Sequence, residues 1–233
     1  IPWIKENCGA AEVVAYCGDV GQGGDFDAVK RKAIASGAVK CIVEDLRETF
    51  ARDYCFKAVQ AGARYEGRHL LGSALARPLL GYGQAMCAVA EGADAVAHGA
   101  AGPGNGQVPF EVAYATFAPR LKVIAPWKEW NIRSREDALE YAARHNVPVD
   151  RAKEDSFNRV GNLWDLSHEG RGLEDPWSAP ASAMFGLSVE PENAPDKAEE
   201  LTIALDKGVP VSVDGRKLGP VALVAELNRR AAA

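Results

Sequence analysis

The sequence predicts a doubly wound α/β fold with a parallel sheet, followed by part of an α+β domain. Up to residue 150, short apolar runs alternate with helical segments of about 10–15 residues, which is the pattern of βαβ units. Residues 147–195 are rich in Pro, Gly, Asp and Ser, and a β-hairpin pattern follows them. We therefore predict two domains, over residues 1–150 and 151–233.

In the first domain, the predicted strands are apolar runs that end at Gly, Asp or Pro, and several predicted helices begin at a capping residue or a proline. Ser134 and Glu136 form a capping-box-like pattern before the last of these helices. Phe50, Tyr54 and Val59 are predicted to share one helix face. In chain order the elements are helix 1–9, strand 11–17, helix 26–36 after its N-cap Asp25, strand 39–43, helix 47–61, helix 78–91, strand 93–97, strand 121–125 and helix 134–145.

The second domain is predicted to combine strands, turns and a closing helix. Residues 201–205 and 209–213 are apolar and flank a short Asp-Lys-Gly sequence, which predicts a hairpin. Residues 220–230 predict the closing helix. The segment 165–176 holds many charges in a Gly-rich setting, which is typical of a surface loop.

Composition and charge exclude several classes of protein. The net charge of −5 argues against a general nucleic-acid binder, because phosphate contacts need a basic face. No apolar run approaches the roughly 18 residues of a membrane span, and no His/Cys spacing indicates a metal site. The five cysteines include no C-x-x-C pair, which predicts a reducing, cytoplasmic compartment. The chain opens inside a helical pattern and without Met, from which we predict an N-terminal truncation.

The glycine-rich loop over residues 98–107 lies at the predicted functional edge of the sheet. Ligands of parallel sheets bind beyond the carboxyl ends of the strands, and His98 and Gly99 follow such an end. From the residues alone, a ligand-binding loop and a flexible turn are equally open interpretations. A structural role at the strand end is favoured for His98 over a catalytic one.

Two further groups of side chains have both a functional and a structural interpretation. Arg64, Arg68 and Arg77 form a basic rim, or they are solvated or paired. Trp127 and Trp130 pack at the domain junction, which is the favoured interpretation, or they offer a platform for base stacking. No Ser/His/Asp or Cys/His arrangement follows from spacing, so catalytic residues stay unassigned.

Seven stretches carry a resemblance to a known family. In register along the chain they are AYCGDVGQG (15–23), ASGAVKCIVEDLRE (35–48), LGSALARP (71–78), GADAVAHGAAGPGNGQVPFE (92–111), LKVIAPWKEWNIRSRE (121–136), NLW (162–164) and LEDPW (173–177). On these motifs the chain resembles the argininosuccinate synthases over essentially its whole length. The resemblance implies an adenine-nucleotide α-hydrolase-like sheet lacking its first strand, Mg-bound ATP as the cofactor, and a homo-oligomer. It also implies the family reaction, the ATP-dependent ligation of citrulline and aspartate to argininosuccinate.

The resemblance also assigns ligand contacts residue by residue. Gly18 and Gly99 stand where the family's backbone meets ATP, Asn105 matches an asparagine that contacts both amino acids, and Ser167 matches a serine near citrulline. At other positions of the family's site this chain has a different residue: His69 for tyrosine, Ala74 for serine, Ala101 for threonine, Pro103 for lysine, Gly106 for aspartate, Pro109 for arginine and Asn158 for serine.

These replacements imply that the chain alone is inactive. The family's Ser-Gly-Gly-x-Asp-Thr-Ser loop, which cradles pyrophosphate, does not occur in the sequence, and neither does the family's C-terminal half. ATP binding is therefore expected to be weak or absent, and Pro103 and Pro109 are expected to restrict the substrate loop. Three hypotheses stay open: a synthase, a degenerate non-catalytic paralogue that acts as a binding or scaffold module, and a site repurposed for another anion or nucleotide.

Overall fold

The computed structural model describes residues 1–100, 105–132, 134–149, 158–169 and 173–232. Its contacts divide the chain into two compact units, each built from non-contiguous segments. The first unit comprises Ile1–Asp19, Gly24–Asp45 and Arg77–Lys153, and the second comprises Val20–Gly23, Leu46–Ala76 and Glu154–Ala233. The domain boundary at residue 150 stays a prediction.

The described part of the chain alternates helices and strands in the order expected of a mixed α/β protein. The helices are α1 (Pro2–Asn7), α2 (Phe26–Ala35), α3 (Arg47–Thr49), a π-helical segment (Phe50–Cys55), α4 (Phe56–Ala61), α5 (Gly72–Ala90), α6 (Val108–Phe117), α7 (Arg135–Arg144) and α8 (Pro220–Ala231). The strands are β1 (Val14–Asp19), β2 (Lys40–Asp45), β3 (Ala95–Ala97), β4 (Lys122–Ile124), β5 (Asn158–Gly161), β6 (Leu166–Glu169), β7 (Ile203–Asp206), β8 (Val209–Val213) and β9 (Arg216–Lys217). Within these described ranges, no helix is both long and apolar enough to cross a bilayer.

The strands of the first unit pair in parallel, as the sequence predicts. β1 pairs with β2 from Val14 and Lys40 to Asp19 and Asp45, and β3 pairs with β4. The two pairs form separate two-stranded sheets among the described residues. Gly18 and Asp19, predicted to follow the first strand, are its last two residues. The carboxyl end of β3, at Ala97, lies where the sequence predicts it.

Capping side chains fix the starts of two helices in the first unit. Asp25 accepts a hydrogen bond from the Ala28 amide at 2.9 Å, which confirms it as the N-cap of α2. Ser134 caps α7 through the Asp137 amide at 3.0 Å, and the Asp137 carboxylate accepts from the Ser134 amide at 3.1 Å. The capping box is therefore real, but its carboxylate is Asp137 rather than Glu136, because the motif uses the third helical residue.

Two helices around the glycine-rich loop differ from the sequence prediction. α5 begins at Gly72, not at Pro78, so the proline lies inside the helix. Burial of Ala76 and Leu79 on either side of Pro78 holds this part of the helix despite the missing amide donor. α6 was not predicted, because its sequence follows directly on the glycine-rich loop. Pro109 lies in the first turn of α6, where its missing N–H costs no helical hydrogen bond.

The core of the first unit joins α5, β3 and α6. Ala85, Val96, Tyr114 and Ala118 form a buried cluster in which Ala85 and Tyr114 are fully buried. A Cβ atom on Gly81 would lie 2.8 Å from the Ala113 Cβ, so glycine at this position allows α5 and α6 to pack closely. This packing fixes the segment between β3 and α6 at both of its ends.

In the second unit, a π-helical segment changes the buried face of the helix predicted over residues 47–61. Phe50 and Cys55 are fully buried, whereas Val59, predicted to share the face of Phe50, is 37% exposed. The wider turn of the π-helix rotates the side chains that follow it, and a 3.6-residue period cannot anticipate that shift.

The strands of the second unit form two antiparallel groups. The predicted hairpin is confirmed as β7 and β8, with β9 added, and its turn residues Lys207 and Gly208 have φ of 50° and 83°. β5 and β6 form another hairpin. The prediction of a surface loop from residue 165 is therefore wrong over β6, because a strand of four residues gives too short a pattern to recognise. α8 contributes Leu223 and Val224 to the core of this unit.

Candidate functional site

His98 anchors the start of the glycine-rich loop. Its side chain is 3% exposed, its Nδ1 accepts a hydrogen bond from the Ala100 amide at 3.3 Å, and its Nε2 lies 3.2 Å from Glu111 Oε1. Since Nδ1 faces a donor, the tautomer that satisfies both contacts is neutral and carries its proton on Nε2. This geometry supports the structural interpretation of His98, because both ring nitrogens are already engaged.

A lysine connects this histidine to the turn after β4. Lys128 Nζ lies 2.6 Å from Glu111 Oε1, the same oxygen that faces His98. The Lys128 ammonium, and secondarily His98, hold the pKa of the Glu111 carboxyl below its usual value. The carboxylate is therefore the stable form, and it ties α6 both to the strand end and to the turn over Pro126–Lys128.

Gln84 of α5 holds the last residue of β3. Its Nε2 donates to the Ala97 carbonyl at 2.8 Å, and its Oε1 accepts from the Tyr114 hydroxyl. Burial raises the pKa of the Tyr114 phenol, so the hydroxyl remains a donor. Both residues that precede Gly99 are thus fixed by side chains from α5 and α6.

The glycine-rich loop itself is described only in part. Ala101 and Pro103 lie outside the described residues. Gly99 and Asn105 are exposed, and Gly106 is partly buried beside Arg77. The expectation that Pro109 restricts this loop is wrong, because Pro109 lies in the first turn of α6.

In the second unit, His69 and Ser167 both approach Asp165. His69 Nε2 lies 3.9 Å from Asp165 Oδ2, and the Ser167 hydroxyl donates to the same oxygen at 3.3 Å. His69 Nδ1 accepts from the Leu71 amide at 2.9 Å, and a Cβ on Gly72 would lie only 2.2 Å from the Asp165 Cβ. Sequence reasoning missed Asp165. The available signal was a carboxylate two residues before Ser167.

The other positions that the resemblance assigns to the ligand site lie on several different elements. Gly18 is buried near the end of β1 and pairs with Glu44 of β2. Ala74 is exposed in the first turn of α5. Asn158 begins β5 opposite Glu169, and its side chain is not described.

The structure bears differently on the three arginines and on the two tryptophans that have open interpretations. Arg64 and Arg68 are exposed, whereas Arg77 is partly buried. Trp127 and Trp130 meet edge to face with ring centroids 5.0 Å apart, which supports packing over base stacking. Their contact lies within the first unit.

Comparison with known proteins matches the chain to one family over nearly its whole length. Residues 1–148 match the family "Arginosuccinate synthase N-terminal HUP domain", and residues 157–233 match "Arginosuccinate synthase C-terminal domain". The chain is 56% identical to argininosuccinate synthase of Roseiflexus castenholzii over 98% of the chain and 57% of that protein. It is 49% identical to the chloroplastic argininosuccinate synthase of Arabidopsis thaliana over 98% of the chain and 46% of that protein. The chain thus spans about half the length of the curated relatives it matches.

Proposed function

Because the chain belongs to the argininosuccinate synthase family, we propose that it forms part of a site that joins citrulline and aspartate using ATP. The match to both family domains, in order along one chain, is the observation that carries this proposal. The mixed α/β content fits the HUP domain of the family. The first part of the chain would supply the nucleotide side of the site, and residues from 151 onward would begin the synthetase domain.

The proposed roles of individual residues follow the resemblance. Gly18 and Gly99 would meet ATP, brought with its Mg²⁺, through their backbone. Both glycines lie at or just beyond the carboxyl end of a parallel strand, where nucleotides bind in such sheets. A Cβ on Gly99 would meet no atom of the described residues within 4 Å, which supports a surface there that can accept a ligand. Asn105 and Ser167 would contact the amino-acid substrates.

We propose that a further strand completes the parallel sheet and that copies of the chain associate. The separation of the β1–β2 pair from the β3–β4 pair among the described residues supports an additional strand. Apolar side chains on α5 and α6, including Met86, Val112 and Phe117, are exposed. They support the association of copies, because a second copy would cover this apolar surface. Five unpaired thiols support a reducing, cytoplasmic location.

A non-catalytic binding or scaffold module is the second candidate function. The observation that favours it is the pairing of His69 and Ser167 with Asp165, which already engages two positions assigned to citrulline. The replacements at two further positions favour it as well. Gly106 and Pro109 stand where the resemblance places an aspartate and an arginine, so that a carboxylate and a guanidinium are missing. In this second candidate function, the chain keeps the fold of the family but does not catalyse the ligation.

Calorimetric titration with ATP tests the proposed nucleotide site. We expect the 233-residue chain to bind ATP with a Kd of about 1 mM or weaker, near −4 kcal/mol, because only backbone contacts at Gly18 and Gly99 are proposed. A complete relative, such as the Roseiflexus castenholzii synthase, serves as the positive control. Micromolar affinity of the chain would overturn this expectation, since it would require a phosphate cradle built from other residues.

A further inference from the structure

The hydrogen bond that holds the start of the glycine-rich loop depends on the protonation state of His98. The ring accepts the Ala100 amide at Nδ1, at 3.3 Å, while its Nε2 faces Glu111 Oε1 at 3.2 Å. An imidazolium donates from both nitrogens, so a proton on Nδ1 would set two donors against each other and break the contact with Ala100. The loop is therefore held only while the ring is neutral.

Glu111 by itself favours the state of His98 that releases the loop, because a carboxylate beside an imidazole stabilises the imidazolium. Lys128 opposes this effect. Its ammonium lies 2.6 Å from the same oxygen of Glu111 and offsets the negative charge that faces the ring. The His98 side chain is 3% exposed, so water and salt screen these charges weakly. The lowered pKa of the Glu111 carboxyl, caused first by Lys128 and then by His98, agrees with this sharing of one oxygen.

Two other titratable side chains lie near the ring or its loop. Tyr114 has its ring centroid 6.2 Å from that of the histidine, and burial raises the pKa of its phenol, so it stays neutral. Arg77 meets the loop further along, where a Cβ on Gly106 would lie 3.7 Å from its Cζ. Residues 101–104 contain only Ala, Gly and Pro, so they add no titratable side chain. Among the residues that the structure describes, Lys128 is thus the cation in contact with the carboxylate that faces the ring.

We propose that Lys128 is a positioning residue of the glycine-rich loop: through Glu111 it keeps His98 neutral, and the neutral ring holds the Ala100 amide. The proposal concerns the loop itself and does not depend on which ligand the loop accepts. Lys128 lies in the turn after β4, so this relay links the end of one strand to the loop that follows the neighbouring strand, β3.

Substitutions of Lys128 separate its charge from its packing. Lys128→Met keeps an unbranched side chain and removes the charge, Lys128→Gln is a second neutral variant, and Lys128→Arg keeps the charge. The side chain is 49% exposed, so none of these changes empties a buried position. Lys128→Met in a Glu111→Gln background shows whether the effect passes through the carboxylate.

NMR titration of the isotopically labelled chain, following the His98 ring nitrogens and the Ala100 amide, tests the proposal. At neutral pH the unmodified chain is expected to carry its His98 proton on Nε2 alone. In Lys128→Met and Lys128→Gln the imidazolium should form at a pH about one unit higher than in the unmodified chain, and the Ala100 amide should shift with the same midpoint. Lys128→Arg should behave as the unmodified chain, and Lys128→Met should have little effect in the Glu111→Gln background.

Three results would overturn the proposal. The first, a proton on Nδ1 of His98 at neutral pH, is seen in the unmodified chain and needs no variant. The second is an unchanged His98 midpoint in the neutral variants of Lys128, and the third is an Ala100 amide that does not follow the titration of the ring. Circular dichroism melting distinguishes a merely structural role, which would lower the melting temperature of the neutral variants without moving the His98 midpoint.

Discussion

The purified 233-residue chain is expected to form no argininosuccinate above background from ATP, citrulline and aspartate. Three features of the chain lead to this result. No Ser-Gly-Gly-x-Asp-Thr-Ser segment occurs in the sequence, Pro109 provides no cation, and Gly106 provides no carboxylate. A ligase must stabilise the charge that develops as pyrophosphate leaves, and that stabilisation requires donors already aimed at the phosphates. Incorporation of radiolabelled aspartate into product measures the activity.

The same assay with a complete relative provides the positive control. The Roseiflexus castenholzii synthase is suitable, because it is 56% identical to this chain. Turnover by the isolated chain would contradict the account of the replaced contacts.

Tyr114→Ala is expected to lower the free energy of unfolding by about 3–5 kcal/mol, because it empties a fully buried ring position in the core of the first unit. Tyr114→Phe is the matched control. It keeps the ring and removes only the hydroxyl that donates to Gln84, so we expect a loss of about 1 kcal/mol. Urea denaturation followed by circular dichroism measures both values. Equal losses would show that the hydrogen bond to Gln84, rather than packing, carries the contribution of Tyr114.

Local signals in the sequence predict much of the fold. Asp25 and Ser134 cap their helices through short side-chain contacts, and such contacts depend on residues only three positions away. The hairpin of β7 and β8 follows from its turn glycine, Gly208, which adopts a positive φ of 83° without strain. Parallel pairing of the strands follows from the alternation of strands and helices.

The missed features depend on tertiary contacts instead. α5 continues through Pro78 because neighbouring side chains are buried, and the π-helical segment rotates the face that Val59 was expected to share. Neither effect is visible in a pattern of period 3.6. β6 is a strand of four residues within a charged segment, so its pairing with β5 decides its conformation.

The candidate site is predictable only where one residue acts alone. His98 was singled out by its place after a strand, and the structure adds the contacts to Ala100 and Glu111 that explain it. Asp165 lies two residues before Ser167, but its importance comes from the tertiary approach of His69, which no spacing in the sequence indicates.

Calorimetric titration of Pro109→Arg with citrulline tests most directly the claim that a lost cation, within a preserved fold, limits substrate binding. Pro109 is partly buried in the first turn of α6, where the helix does not depend on proline. Pro109→Gln is the control of similar length without charge. A restored charge-assisted contact contributes about 2–5 kcal/mol, so citrulline should bind Pro109→Arg tens- to thousands-fold more tightly than Pro109→Gln. Equal affinities of the two variants would contradict the assignment of position 109 to the citrulline carboxylate.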